Sequence, residues 1–248
     1  MSSGLNSMSR GRLARFTGDV AALRGARILL TGVTGEALEG PVGTLVETLA
    51  TITPGLLLHT TPEHADGVVA FVSGLTGCEH KVAVLCHDAG SSDDGIRLAQ
   101  IASALSGSLD LAVVLLDGAV DASRVFDLDD LEDVLVERLD AGIAQTEVLA
   151  NRMGLTWSDG AIVSVLLTDP ETDAILTSLL KSALAGVTRW QAEAWAVEGV
   201  RFNAVALAGV GAQVLPGVGA PCADLTTVVV DIAVGRSAPL TGLVFEAA

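Results

Sequence analysis

Short runs rich in Val, Ile and Leu alternate along the chain with longer stretches in which apolar residues recur every three or four positions. The runs fall at Arg27–Thr31, Leu56–His59, Val82–Cys86, Leu111–Leu116, Ala161–Leu167, Val200–Ala206 and Leu243–Phe245. The periodic stretches occupy roughly 41–50, 62–76, 92–106, 129–152, 171–198 and, more weakly, 223–233. A continuous apolar run suits a strand covered on both faces, and the longer period suits a helix with one inward stripe. Their regular alternation predicts an α/β fold, a doubly wound parallel sheet of about seven strands, because parallel neighbours need a crossover and crossovers are right-handed. Pro54-Gly55, Gly90-Ser91-Ser92 and Gly209–Gly219 read as loops rather than domain boundaries. The chain therefore divides into an N-terminal extension, 1–24, and a single domain, 25–248, with no internal repeat.

Composition changes this picture little. Apolar residues make up 50% of the 248 positions, as buried parallel strands require. Asp, Glu or Arg interrupts every apolar run before it reaches spanning length, so no membrane segment is expected. The first residues carry three arginines but no apolar stretch after them, which argues against a secretory signal. The net charge of −16 excludes phosphate-backbone binding, which depends on Lys and Arg, so no nucleic-acid partner is expected. The acidic run Phe126 to Asp140 fits the solvated start of a helix, where carboxylates meet the positive end of the dipole. Cys78, Cys86 and Cys222 are too few and too uneven for a disulfide framework and point to the reducing cytoplasm.

Candidate chemistry begins after the first run, at Thr31-Gly32-Val33-Thr34-Gly35-Glu36-Ala37-Leu38-Glu39-Gly40. Further on, Leu176 to Gly209 reads LTSLLKSALAGVTRWQAEAWAVEGVRFNAVALAG. Together these resemble the short-chain dehydrogenase/reductase family, whose members write T-G-x-x-x-G-x-G after the first strand, then Tyr-x-x-x-Lys on a helix leading to "(I/V)RVNAVAPG". The closing LTGLVFEAA is similar to the family's "(V/I)TGqxlxvDGG", so the resemblance spans nearly the whole chain and implies a Rossmann-like fold. In such a turn glycines let the backbone approach a pyrophosphate lying on a helix N-terminus.

Slot by slot, the resemblance implies a loss of function. Gly32 matches the first glycine, whereas Glu36 and Leu38 occupy the second and third; a carboxylate repels phosphate and a leucine fills its path. Sliding by four residues matches Gly40 and Val42 instead, with Gly43 close by, and lengthens the turn. His59-Thr60-Thr61 offers neither the acid nor the base that would select the adenosine ribose. Asp88 matches the adenine-contacting Asp, with loop capping an equal reading. The Asn-Asn-Ala-Gly loop is replaced by Leu115-Leu116-Asp117-Gly118-Ala119. No nucleotide is therefore expected on this chain.

The family's proton transfer uses a tyrosine beside a lysine, a serine on the carbonyl and a helix asparagine. Lys181 fills the lysine slot, but Thr177 stands for tyrosine in a chain that contains none. The serine slot is Leu166 or Leu167, and the asparagine slot is Leu139, three before Gly142. An aliphatic hydroxyl is neither long nor acidic enough to replace a phenol, and Ser164, thirteen before Thr177, lies in the wrong strand register. Lys181 alone supports no relay and reads as a lysine covering apolar surface with its stem. No catalytic residue and no metal are expected: Cys78-x-His80 and Cys86-His87-Asp88 match no zinc spacing.

The stripe Leu176, Leu180, Leu184, Val187, Trp190 and Trp195 is wider than one core face requires. In the family the helices matching 129–152 and 171–198 pack against their copies in a neighbouring subunit. The resemblance thus implies a non-catalytic subunit of a hetero-oligomer. Its homologous partner would hold NAD(P) and oxidise a hydroxyacyl-CoA or similar secondary alcohol. A homo-oligomer, a catalytic oxidoreductase with altered residues, and a ligand-binding or regulatory protein using the emptied cleft are the alternatives.

Overall fold

The computed structural model describes residues 20–77, 81–88, 92–118, 128–156, 159–168, 174–207, 224–235 and 241–247. Its strands are β1 (Arg27–Thr31), β2 (Gly55–Thr60), β3 (Val82–Cys86), β4 (Leu111–Asp117), β5 (Ala161–Leu167), β6 (Arg201–Leu207) and β7 (Leu243–Ala247). The helices are α1 (Gly35–Leu38), α2 (Pro41–Ile52), α3 (Ala65–Gly74), α4 (Ser92–Ser106), α5 (Leu128–Leu155), α6 (Ala174–Ala194) and α7 (Leu225–Val234). All seven strands form one sheet in the order β3-β2-β1-β4-β5-β6-β7, every pair parallel. The strand order reverses between β1 and β4, the switch point beside which doubly wound sheets form their crevice.

Successive strand residues face opposite layers. Ile28 and Leu30 join Val42, Leu45, Leu49 and Val228 on the side covered by α1, α2, α3 and α7. Leu29 and Leu116 join Leu139, Leu149, Leu180 and Phe202 on the side covered by α4, α5 and α6. Each expected strand is present within a residue or two. α1 lies outside every expected helix, and 62–76 divides into a 3-10 turn at Pro62–His64 followed by α3. Val20–Leu23, counted with the extension, forms a 3-10 turn whose Leu23 is buried in the core, so packed structure begins before residue 25.

Two helix ends show how local sequence sets the boundaries. Asp224 caps α7, accepting from the Thr227 amide at 2.9 Å and from the Thr227 hydroxyl at 2.8 Å. Those bonds hold its carboxyl below the usual range, the Thr227 amide foremost. At the other end, the Arg201 guanidinium donates to the Ile232 and Ala233 carbonyls, each at 2.8 Å, closing the last turn of α7.

The stripe expected to face a partner is corrected by this packing. Leu176, Leu180 and Leu184 lie in the chain's own core, where α6 packs against β6 and β7. Their spacing of four brings them onto one face of α6, and that face meets the sheet. Val187 is half-buried and Trp195 packs against the same core. The outward residues are Ile175, 70% exposed, and Trp190, 56% exposed.

Candidate active site

At the carboxyl end of β1 the chain turns at Gly32, whose φ of +77° and closeness to the Leu115 carbonyl, 2.6 Å from where a Cβ would stand, admit no side chain. Val33 is then stitched to β2: its amide donates to the His59 carbonyl at 3.1 Å, and its own carbonyl accepts from the Thr60 hydroxyl at 2.7 Å. α1 follows, capped by the Thr34 hydroxyl, which accepts from the Ala37 amide at 3.1 Å. Only then does α2 begin, with Gly40 at its cap and Pro41 in its first turn. Of the two alignments open in the sequence, the lengthened turn is the one that matches the helix start. Glu36 and Glu39 are exposed and Leu38 is buried.

Past β2, Thr60 is buried and Thr61 donates to Glu63 at 3.2 Å. Asp88 is exposed after β3. Past β4, the Gly118 amide donates to the Leu167 carbonyl at 2.8 Å, and Asp117 accepts from Arg138 of α5 at 2.8 Å. That ion pair was not anticipated, although Arg138 directly precedes the asparagine slot.

Leu139 is buried among apolar side chains on α5. One turn on, Gly142 lies so close to Leu116 that a Cβ there would collide with it, so α5 and β4 touch directly at this point. Ser164 sits inside β5, paired with Val114 and Ala204, and Leu166 is fully buried. Leu167 is half-buried at the strand end, and Thr168 beyond it donates to the Leu207 carbonyl at 2.5 Å, tying β5 to β6. Thr177 and Lys181 lie half-buried one turn apart on α6. The segments 119–127, 169–173 and 208–223 around these strand ends lie outside the described residues.

A buried polar chain joins β1, β2 and α5. The Thr31 hydroxyl lies 2.8 Å from His59 Nδ1 and 3.0 Å from the Gln145 amide, and His59 Nε2 lies 3.0 Å from the His87 carbonyl. A carbonyl only accepts, so Nε2 carries a proton. With a neutral ring, Thr31 donates its single hydrogen to Nδ1, so the Gln145 side chain, placed with Oε1 toward Thr31, must be turned over to present its N–H2. Burial, the largest effect, lowers the His59 pKa below its ordinary 6.5; the His87 carbonyl bond opposes it and the His87 ring adds to it. A second buried bond, Gln191 to Thr146 at 2.6 Å, fastens α6 to α5. These bonds satisfy groups inside the domain and leave none of them reaching outward.

A cavity of about 360 Å³, lined by Arg24, Asp110, Asp159 and Arg201 among others, lies at the opposite, amino end of the strands. Its Arg201 is engaged in closing α7, and the cavity shares no residue with the slots above. Among the described residues no group of three or more His, Cys, Asp or Glu side chains is placed to hold a metal. Cys78, His80 and Cys222 lie outside those residues. No helix among them is long and apolar enough to cross a membrane.

No protein-family model matches the sequence and no curated protein resembles it closely enough to match. Solved structures match its fold. A short-chain type dehydrogenase/reductase from Mycobacterium marinum is similar with a TM-score of 0.71 at 17% identity, covering 92% of this chain and 96% of that one. A short chain dehydrogenase from Burkholderia cenocepacia in complex with NADP is similar with a TM-score of 0.67 at 21% identity, covering 91% and 97%. A hydroxysteroid dehydrogenase from Escherichia coli reaches a TM-score of 0.67 at 16% identity, covering 92% and 98%. The fold is that of short-chain dehydrogenases/reductases over almost the whole of both chains.

Proposed function

We propose that this chain is a non-catalytic member of the short-chain dehydrogenase/reductase family that serves in the cytoplasm as a structural subunit. Its partner is an active homologous subunit, which carries NAD(P) and oxidises a hydroxyacyl-CoA or similar secondary alcohol. The observation that carries this reading is the joint filling of three slots by Leu139, Leu167 and Thr177 in a chain without tyrosine. Alcohol oxidation needs a group that takes the hydroxyl proton within hydrogen-bond reach. Two leucines take none, and Lys181 without a phenol lacks the acid whose pKa it would lower.

The surface offered to the partner is the outward side of α5 and α6, where Val136, Ile175 and Trp190 are exposed. Large exposed apolar side chains on neighbouring helices suit a subunit contact better than open solvent. Activity and binding assays on the purified chain test the reading. Incubation with NAD or NADP and a panel of hydroxyacyl-CoAs and secondary alcohols should give no change in reduced-nicotinamide absorbance. Adding the homologous subunit should give a hetero-oligomer by light scattering. Turnover by the chain alone establishes the altered-enzyme alternative, and neither turnover nor assembly favours a ligand-binding role.

A further inference from the structure

We propose that α1 is an internal plug in the phosphate-binding turn: the chain's own backbone occupies the place over the first turn of α2 where a dinucleotide would lay its pyrophosphate. This deepens the preceding reading, that the chain is non-catalytic, and stands on different residues. A helix N-terminus attracts an anion because its first amides lack partners and its dipole is positive there. In α2 part of that attraction is met within the chain. Pro41 has no N–H, and the Gly43 amide is turned onto the Gly40 carbonyl at 3.0 Å, beside the helix's first regular bond from Thr44 to the same carbonyl at 3.4 Å. The Leu38 carbonyl lies so tightly on Gly43 that a Cβ at Gly43 would overlap it. An acceptor oxygen, the chemical feature a phosphate would supply, thus sits against this turn.

α1 is built to stay there. Leu38 is anchored in the core beside Val42 and Val46. On its other side α1 meets α3 backbone to backbone, with the Gly35 Cα 3.2 Å from where a Cβ of Gly67 would stand. The amides of Leu38, Glu39 and Gly40 each close a turn, onto the Thr34, Glu36 and Ala37 carbonyls at 3.3, 3.1 and 3.4 Å. Exposed Glu36 and Glu39 add negative charge at the same end of α2, favourable to the helix and repulsive to an incoming phosphate.

Comparing Gly43→Ala in two backgrounds tests the plug. In the native chain the added methyl meets the Leu38 carbonyl, and the melting midpoint should fall by about 5 °C. In a variant whose Gly35–Glu39 is replaced by Gly-Ser the obstacle is gone, and the same substitution should leave the midpoint unchanged or raise it, since alanine favours a helix over glycine. An equal fall in both backgrounds overturns the proposal. If the shortened variant does not fold, hydrogen exchange on the native chain decides. Protected amides at Leu38, Glu39 and Gly40 that stay unchanged in millimolar sodium pyrophosphate or NAD support the plug. Exchange at unstructured rates, or micromolar binding of either probe by calorimetry, overturns it. Dinucleotide binding without turnover would sink the plug and leave the non-catalytic reading intact, whereas turnover would sink both.

Discussion

On the proposed reading, the two halves of the sheet's carboxyl edge depart from an NAD(P) site in different ways. Around β1 and α2 the change is in the backbone, where α1 lengthens the turn and packs its carbonyl against the following helix. Around β5, β6 and α6 the elements keep their expected lengths and pairing, and the departures are in side chains at Leu139, Leu167 and Thr177. A side-chain change can be reversed at one position while the backbone around it stays in place. An inserted, core-anchored turn cannot, because removing it also removes Leu38 from the core. On that reading the first half holds the change that is harder to reverse.

The comparison presumes that α6 is held by this chain's own core rather than by a partner, and one substitution tests that with the largest effect. Leu180→Asp places a carboxylate where Leu180 is fully buried among apolar side chains. An unpaired buried charge costs several kcal/mol, on the order of 3–5, a large share of a domain's whole stability. The variant should show no cooperative thermal transition by circular dichroism. Trp190→Asp, on the exposed side of the same helix, should melt within a few degrees of the native chain. Equal damage from both would mean that α6 is not ordered as described.

Second in size is a repair of the later half alone. Leu139→Asn with Thr177→Tyr returns two of the missing side chains while α1 remains in the turn. No turnover is expected by nicotinamide absorbance, and stability should fall by about 1–3 kcal/mol because an amide replaces a buried leucine. Measurable dehydrogenase activity in this double variant would break the comparison, since the side chains would then have been the sole obstacle.

These same elements show what was legible in the sequence. Strand positions could be read because the strands are short runs rich in apolar residues, buried almost throughout at β1, β2, β4, β5 and β6, though only partly so at the edge strands β3 and β7. The slots Leu139, Thr177 and Lys181, assigned by resemblance, fall inside the regular elements α5 and α6. α1 could not be read, since four residues carry no period, and its Gly35 and Glu36 were read as fragments of a glycine motif. The stripe from Leu176 to Leu184 was read as outward because periodicity shows that residues share a face but not which neighbour the face meets. The polar chain left no local signal at all: Thr31 and Gln145 are 114 positions apart, and His59 drew notice only for lacking a charge.

That polar chain spans the two halves, linking Thr31 and His59 of the first to α5 of the second, and its pH response is the third test. Burial holds His59 neutral in the folded chain, with a pKa below the 6.5 of the exposed ring. Between those two values the unfolded chain binds the extra proton, so stability rises with pH there. The contribution is complete above about 6.5 and is lost as pH falls below it, with a slope of at most about 1.4 kcal/mol per pH unit. Urea unfolding between pH 7.5 and 5.5 should show that slope in the native chain and a shallower one in His59→Gln. Identical slopes would mean that the ring does not titrate through unfolding and that the two halves are not joined by it.

The smallest effect is expected at the pair that bridges the halves on the surface, Asp117 at the end of β4 and Arg138 on α5, 2.8 Å apart. Asp117 is well exposed and Arg138 partly so, which leaves both charges open to water and salt. Such a pair contributes about 0–1 kcal/mol, less at high ionic strength. Asp117→Asn should therefore lower stability by no more than that, and 1 M salt should erase the difference from the native chain. The sharper readout lies in the switch point itself. Asp117 neutralises the one guanidinium that α5 brings to this strand end, so a phosphate that failed to bind the native chain should gain a little attraction in Asp117→Asn if the crevice were open. With α1 over α2 the crevice has no place to hold it, and calorimetry with sodium pyrophosphate should register no heat of binding in either protein. Binding that appears only in the variant would show that charge at β4, rather than the backbone at α1, keeps the edge empty.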